Sequence, residues 1–212
     1  MARAISLTLL LAILSGCAKQ PERDLFAEAE LLYLDQRYDE AVVLLKQHLA
    51  RHPEDAGAHF YLGTCYLSSP KNGWLGIAQG ELQTALALFE RQGKINPIPR
   101  FNNSTYFELI CHINLAKVYL RLILNIMDMD SSELQLNRRT AVRTLTNGLI
   151  EQYEAAQRID PRNPDVEGLR QRIEEVQLLL RSLPPSSAPS TVNRADEGVK
   201  PRFARVFRFV ST

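Results

Sequence analysis

The 212-residue chain carries 25 lysine and arginine residues against 24 aspartate and glutamate residues, so its formal net charge is only +1. The net charge falls to zero if Arg3 is removed. A chain with so little net charge lacks the bulk electrostatic attraction on which non-specific nucleic-acid binding depends. A hydrophobic share of 45% and a charged share of 23% are typical of a globular protein and exclude a chain that is disordered throughout.

An apolar run opens the chain. Residues 1–16 contain one positive charge at Arg3, apolar residues from Leu7 to Leu14 and then small residues, a layout typical of a secretory signal peptide. The run is too short to cross a bilayer, which needs roughly 20 apolar residues. We therefore expect residues 1–16 to be cleaved off.

The leader ends in the order Leu14, Ser15, Gly16, Cys17. This run resembles the lipobox of bacterial lipoproteins. The resemblance implies that Cys17 becomes the first mature residue and is acylated with fatty acids such as palmitate. The acyl chains would bind the lipid bilayer, and residues 17–23 would form a tether between the bilayer and the folded part. It also implies a periplasm-facing protein in the cell envelope, and Ala18 favours the outer membrane. The alternative is an ordinary signal peptide followed by a cysteine by chance.

Helical periodicity starts behind the tether. Asp24 is a predicted N-cap, the periodicity is interrupted at 37–39, and a second helix is predicted up to Pro53, with a third from about Asp55. Thr105–Met127 is unusually apolar but contains several charged residues, which favours a central helix packed on several sides over a membrane span. Its partner helix is predicted over 137–159, after a turn at 127–132.

Positions recur along this helical region at a fixed distance. Ala29 and Gly63 lie 34 residues apart, as do Leu32 and Tyr66, and 34 is the tetratricopeptide period. Three units fit, the second and third with insertions: Ala29, Leu32, Tyr38, Ala41, Leu45, Pro53; Leu62, Gly63, Tyr66, Ala85, Phe89, Pro97; Leu115, Ala116, Tyr119, Tyr153, Ala156, Pro161. Residues 22–163 thus resemble tetratricopeptide repeats (TPR), although Leu149 stands where the third unit usually has a small residue.

The resemblance implies an all-α fold over residues 24–183. It would be a TPR-like right-handed solenoid of about three helical hairpins, with residues 165–183 as a C-terminal capping helix. The family binds polypeptides on its concave side, which implies a partner-binding groove made of nine residues: Phe26, Glu30, Tyr33, Phe60, Thr64, Leu67, Ile113, Lys117 and Arg121. For each of them the alternative is core packing or plain solvation.

The last 29 residues, 184–212, differ in composition. A linker rich in proline and serine leads to alternating basic and aromatic residues, which is typical of a disordered tail. The alternation also fits a recognition segment that orders on a partner, with these residues in contact: Phe203, Arg205, Phe207, Arg208 and Phe209. Anionic lipid or nucleic acid is a further alternative for this segment.

Motifs for catalysis are not found, so an enzyme is not expected, and neither is a cofactor, a metal, a small-molecule substrate or nucleic acid. His48 and His52 have a spacing that could present two imidazoles to a metal, but a solvated pair is favoured because no third ligand is evident. Cys65 and Cys111 are expected as buried thiols, with a disulfide as the alternative. Trp74 is expected to fold back over the core rather than anchor a partner.

The sequence therefore predicts a lipid-anchored scaffold that binds other envelope proteins and helps to assemble a cell-envelope complex. Relatives of similar plan support this only by analogy. Two alternatives stay open: an accessory subunit that presents or regulates an envelope enzyme such as a cell-wall hydrolase, and a structural surface protein that binds through its tail.

Overall fold

The computed structural model describes residues 24–69, 72–92, 104–129 and 132–183. Within these ranges 88% of the residues are helical and no strand occurs, so the predicted all-α class is confirmed. Cys17, the leader, the tether and the tail lie outside the described residues. Seven α-helices are described: α1 (Leu25–Leu34), α2 (Tyr38–Leu49), α3 (Ala56–Ser68), α4 (Leu75–Gln92), α5 (Ser104–Asp128), α6 (Ser132–Ile159) and α7 (Pro164–Ser182).

Side-chain caps fix the start of three helices. The carboxylate of Asp24 accepts a hydrogen bond from the amide of Ala27 at 3.0 Å, and Asp55 accepts one from the amide of Ala58 at 3.1 Å. Asn163 caps α7 in the same way. Such a cap contributes about 1 kcal/mol. The helix starts predicted at Asp24 and near Asp55 are confirmed.

A tight turn joins α1 to α2. Gln36 has a positive φ of 61°, and the amides of Gln36 and Arg37 donate to the carbonyls of Tyr33 and Leu32. This pair of bonds is a Schellman motif, which satisfies carbonyls left over at the end of α1. The interruption predicted over 37–39 is therefore too late by about two residues, because Tyr38 already begins α2.

The helices pack in chain order. Each one contacts the next, and α1 with α3, α3 with α5 and α5 with α7 are also in contact. The arrangement consists of the hairpins α1–α2, α3–α4 and α5–α6, followed by α7. The apolar face of α7, made of Val166, Leu169, Ile173 and Val176, is buried against the preceding helices.

Helix α5 serves two hydrophobic clusters. Cys111, Leu115 and Val118 pack with α1 to α4, whereas Ile113 and Ile123 pack with α6 and α7. The prediction of a central helix packed on several sides is confirmed. Among the described helices, one stretch, 105–128, is long and apolar enough to cross a membrane, with a mean hydropathy of 1.4. Half of its apolar window is buried inside the protein, and a helix shared by two cores accounts for that composition.

One helix starts earlier than predicted. Helix α6 begins at Ser132, five residues before the predicted start at 137, and a 3₁₀ turn over Asn72–Trp74 leads directly into α4. The ring of Trp74 lies edge-on against Tyr66 at 5.0 Å between centroids and packs on the core. The predicted folding back of Trp74 is confirmed.

Glycine allows close approach at two helix crossings. A Cβ on Gly63 of α3 would lie 2.8 Å from Cγ of Leu82 on α4, and one on Gly148 of α6 would lie 2.7 Å from the Tyr119 ring on α5. In the third hairpin Leu149, which departs from the repeat pattern, is fully buried. The close approach there is made by the residue before it.

Candidate functional site

Most of the predicted groove residues lie in the interior. Helix α3 is covered by α1, α2, α4 and α5, so its positions that were expected to face a partner face neighbouring helices instead. Five side chains are at most 8% exposed and lie in the core, as in the alternative stated for them: Phe26, Phe60, Thr64, Leu67 and Ile113.

The two predicted cations hold helices together. Lys117 on α5 forms a partly exposed ion pair with Asp165 on α7 at 3.5 Å. The guanidinium of Arg121 donates to the backbone carbonyls of Leu67 and Ser69 at the end of α3. Carbonyls at a helix end have no partner within their own helix, so Arg121 satisfies the end of α3. Each cation thus has a partner inside the protein.

Glu30 and Tyr33 are half-buried and lie beside each other on α1. The hydroxyl of Tyr61 on α3 donates to a carboxylate oxygen of Glu30 at 2.8 Å. The Tyr33 ring contacts Tyr61 at 5.1 Å and Tyr38, the first residue of α2, at 5.7 Å between centroids. Three helices therefore hold these rings and this carboxylate in place.

The ring contacts continue across α3 to the first turn of α5. Tyr61 contacts Phe60, Phe60 contacts Phe107, and Phe107 contacts Tyr106, at 5.3, 5.2 and 5.5 Å between centroids. The Tyr106 residue is 51% exposed. Burial raises the pKa of the Tyr33 phenol, and Tyr38, Cys65 and Tyr106 add to that rise.

We call the partly exposed part of this network the tyrosine surface: Glu30, Tyr33, Tyr38, Tyr61 and Tyr106. Of these five residues, the repeat positions selected only Glu30 and Tyr33 for the groove. Tyr61 was missed because it lies one residue after the selected Phe60, and Tyr106 because it precedes Ile113, the first position used on α5. Their signal in the sequence is the tyrosine next to a phenylalanine on the first helix of a hairpin, which occurs in both the second and third hairpins. Tyrosine is among the residues that contribute most to protein interfaces.

A histidine network lies at the other end of α1 and α2. Nε2 of His48 lies 2.8 Å from a carboxylate oxygen of Asp55, the N-cap of α3, and the His48 ring contacts Phe26 and His52. His48 is thus partly buried and hydrogen-bonded rather than solvated, which corrects the favoured interpretation for His48, whereas His52 is exposed as expected. Within the described ranges no group of three or more His, Cys, Asp or Glu side chains is placed to hold a metal.

Both described cysteines are free and fully buried. Burial raises the pKa of the Cys65 thiol to about 12 and raises that of Cys111 as well, with Glu108 adding to the rise at Cys111. A thiolate is the reactive form of cysteine, so both side chains stay protonated and act as small apolar groups. The disulfide kept open as an alternative is not what the structure contains.

His59 joins α3 to α4 through a short hydrogen bond. Its Nδ1 lies 2.6 Å from a carboxylate oxygen of Glu81, and its Nε2 lies 3.0 Å from the carbonyl oxygen of Pro53. Both partners only accept hydrogen bonds, so the two bonds are complete only when both ring nitrogens carry protons. Burial lowers the pKa of His59, but these two bonds and the Glu81 and Asp55 charges outweigh it and raise the pKa overall.

The raised pKa of His59 predicts a pH-dependent stability. The contribution is fully present below the unfolded value, about 6.5, and is lost as the pH rises through the higher folded value. We expect the free energy of unfolding to fall by about 1 kcal/mol across this window, the low end for a charged hydrogen bond that is partly solvated. In Glu81→Gln the fall should be smaller. Urea unfolding of the wild type and of Glu81→Gln at pH 5.5 and pH 9 measures this fall. Equal falls in both proteins would contradict the assignment to the His59–Glu81 pair.

Searches with this chain against protein-family models, curated proteins and solved structures gave no match.

Proposed function

We propose that this protein is a lipid-anchored scaffold of the bacterial envelope that binds a polypeptide on the tyrosine surface. The observation that carries the proposal is this surface itself, in which three tyrosines and a carboxylate from α1, α2 and α3 are in contact and stay partly exposed. Tyr106 of α5 is linked to them through the rings of Phe107 and Phe60. Rigid aromatic side chains give large contact areas at a low entropy cost. Binding, rather than catalysis, is the proposed activity.

The proposed architecture is a TPR-like right-handed solenoid of three hairpins with α7 as its cap. Support comes from small residues at matching positions of the first helices: Ala29 and Ala116 are fully buried, and Gly63 makes a close crossing. The 34-residue spacing of Ala29 and Gly63 supports it too. In this architecture the first helices of successive hairpins lie side by side, and α1, α3 and α5 are in contact in that order. The tyrosine surface spans that row.

The proposed partner is an envelope polypeptide with an apolar or aromatic side chain beside a basic group. Tyrosine rings offer apolar faces together with hydroxyl groups, and Glu30 supplies the negative charge. Because Tyr61 already donates to Glu30, the carboxylate is held in one orientation before the partner arrives. Preorganisation of this kind reduces the entropy cost of binding.

The lipid anchor at Cys17 lies outside the described residues, and its support is the run Leu14 to Cys17. Residues 17–23 would place α1 close to the bilayer, because seven residues span at most about 25 Å. The tyrosine surface would then face the periplasm near the membrane, where envelope complexes assemble.

The test is photo-crosslinking in the cells that encode the chain. A crosslinking phenylalanine analogue replaces Tyr106 in the full-length protein, and the matched control carries it at Leu178, which is 63% exposed on α7. We expect a discrete adduct from position 106 in the membrane fraction, none from position 178, and about a tenfold loss of the adduct in Glu30→Lys.

A second arm of this experiment tests the anchor. Cys17→Ala should move the protein from the membrane fraction to the soluble fraction, since acylation needs the thiol. Adducts of equal yield at positions 106 and 178 would contradict the binding site. An unchanged membrane fraction in Cys17→Ala would contradict the anchor.

A further inference from the structure

The two ends of the helix row differ in chemistry. At one end α7 covers α5 and α6, and its outer face carries solvent-exposed ion pairs, including those of Arg170 with Glu167 and Glu174. At the other end the outer face of α1 and α2 exposes Leu31 by 63% and Val43 by 53%, and no described element covers it. A terminal unit of stacked helices needs a polar outer face, so the exposed apolar face at the α1 end requires an explanation.

This face contains a groove of about 530 Å³, which we call the end groove. Half of its lining residues are apolar and half are charged, and we call the charged ones the rim. Its lining consists of Glu28, Leu31, Leu32, Asp35, Arg37, Glu40, Val43 and Leu44. The rim carries three carboxylates and one cation, Arg37. The guanidinium of Arg37 is bound to Glu40 at 2.6 Å, so the rim has an excess of negative charge. Its volume suits a few side chains of a peptide rather than a whole domain.

The end groove is separate from the tyrosine surface. Leu31 and Asp35 lie on one side of α1, whereas Glu30 and Tyr33 lie on another side, and the helix period of 3.6 residues puts these two sets well apart around the axis. Occupation of the end groove is therefore a property beyond the proposed scaffold function.

One segment of the chain has the matching chemistry. Residues 200–210 carry four basic side chains, no acidic one, and five apolar ones larger than alanine, three phenylalanines among them. We propose that this segment of the same molecule docks in the end groove, with its aromatic rings on Leu31 and Val43 and its basic groups on the acidic rim. The docked segment covers the apolar face and gives the α1 end the polar exterior that α7 gives the other end.

The chain is long enough for this contact. Residues 184–199 link the end of α7 to the segment, and 16 extended residues span about 50 Å. The row α1, α3, α5, α7 contains three interhelical steps of 8–10 Å, so the two ends are roughly 30 Å apart. Docking within one molecule also benefits from a high effective concentration, which favours it over the same contact between copies.

The experiment uses the full-length chain with a photo-crosslinking phenylalanine analogue at position 207. Mass spectrometry of the monomer should locate the crosslink within 25–49. The double variant Glu28→Lys with Asp35→Lys should reduce its yield roughly tenfold, because two attractive charges become repulsive. The matched control, Glu90→Lys with Glu154→Lys, changes two exposed acidic residues on α4 and α6 and should leave the yield unchanged.

A second variant separates apolar contact from charge. Leu31→Ser removes an exposed side chain and should also reduce the crosslink several-fold while leaving the unfolding temperature in place. Crosslinks to residues 104–107 would assign the segment to the tyrosine surface and overturn the proposal, as would crosslinks found only between copies or only to lipid. Failure here leaves the scaffold proposal intact, because that proposal is read out at position 106.

Discussion

Replacing Gly63 by valine should lower the free energy of unfolding by about 2–3 kcal/mol, which is the upper part of the range for overpacking a tight core. A Cβ at this position would lie 2.8 Å from Cγ of Leu82, 3.1 Å from the Leu82 nitrogen and 3.2 Å from the Ala78 oxygen. Two of these atoms are backbone atoms, so α3 and α4 must move apart to admit the side chain. The loss of packing outweighs the modest gain in helix propensity.

Gly80→Ala is the matched control. Gly80 lies on α4, the same helix that Gly63 approaches, but its Cβ would meet nothing within 4 Å. There the substitution removes only the flexibility of glycine in a helix and should stabilise the protein by about 0.5–1 kcal/mol. Urea denaturation of the two variants measures the opposite signs. Equal effects from both would mean that α3 and α4 do not cross closely at Gly63.

Ile123→Ala should lower the free energy of unfolding by about 2–5 kcal/mol. Leu124→Ala, one residue later on α5, should change it by no more than about 0.5 kcal/mol. Ile123 is fully buried in the cluster formed with α6 and α7, and Leu124 is 58% exposed. The pair therefore tests the role of α5 directly, since the two side chains differ little in hydrophobicity but face opposite environments.

The same pair separates a core helix from a membrane helix. In a bilayer-spanning α5 both side chains would lie in an apolar medium, and the two substitutions would have similar effects on stability. Thermal unfolding followed by circular dichroism gives the comparison, with a shift of roughly 2–4 °C expected for each kcal/mol in a protein of this size. Similar shifts for Ile123→Ala and Leu124→Ala would contradict the two-core arrangement.

The helices were predictable because their signals are local. Asp24 and Asp55 precede apolar periodicity and have side chains that cap, so the starts of α1 and α3 follow from a few adjacent residues. The start of α6 was not predictable in this way, since Leu134 and Leu136 alternate with polar residues behind Ser132 and do not show the helical spacing that begins at Ala141 and Val142.

The candidate site was predictable only in part because exposure depends on which helices pack around a position. Phe60 and Thr64 have the spacing of groove residues, yet α5 covers them: Phe107 packs on Phe60, and Asn114 donates to Thr64 at 3.2 Å. Residues 107 and 114 lie about 50 positions further along the chain, beyond the reach of any local pattern. Tyr61 became part of the site for the same reason, through contacts with α1.

Because α5 supplies side chains to both hydrophobic clusters, the described helices do not divide into two halves with separate cores. Any hairpin added or deleted beside α5 during evolution would force both of its apolar faces to be redesigned together. Growth or shortening of the molecule is therefore easiest at the α1 end, and homologues of different length should align best from α5 to α7.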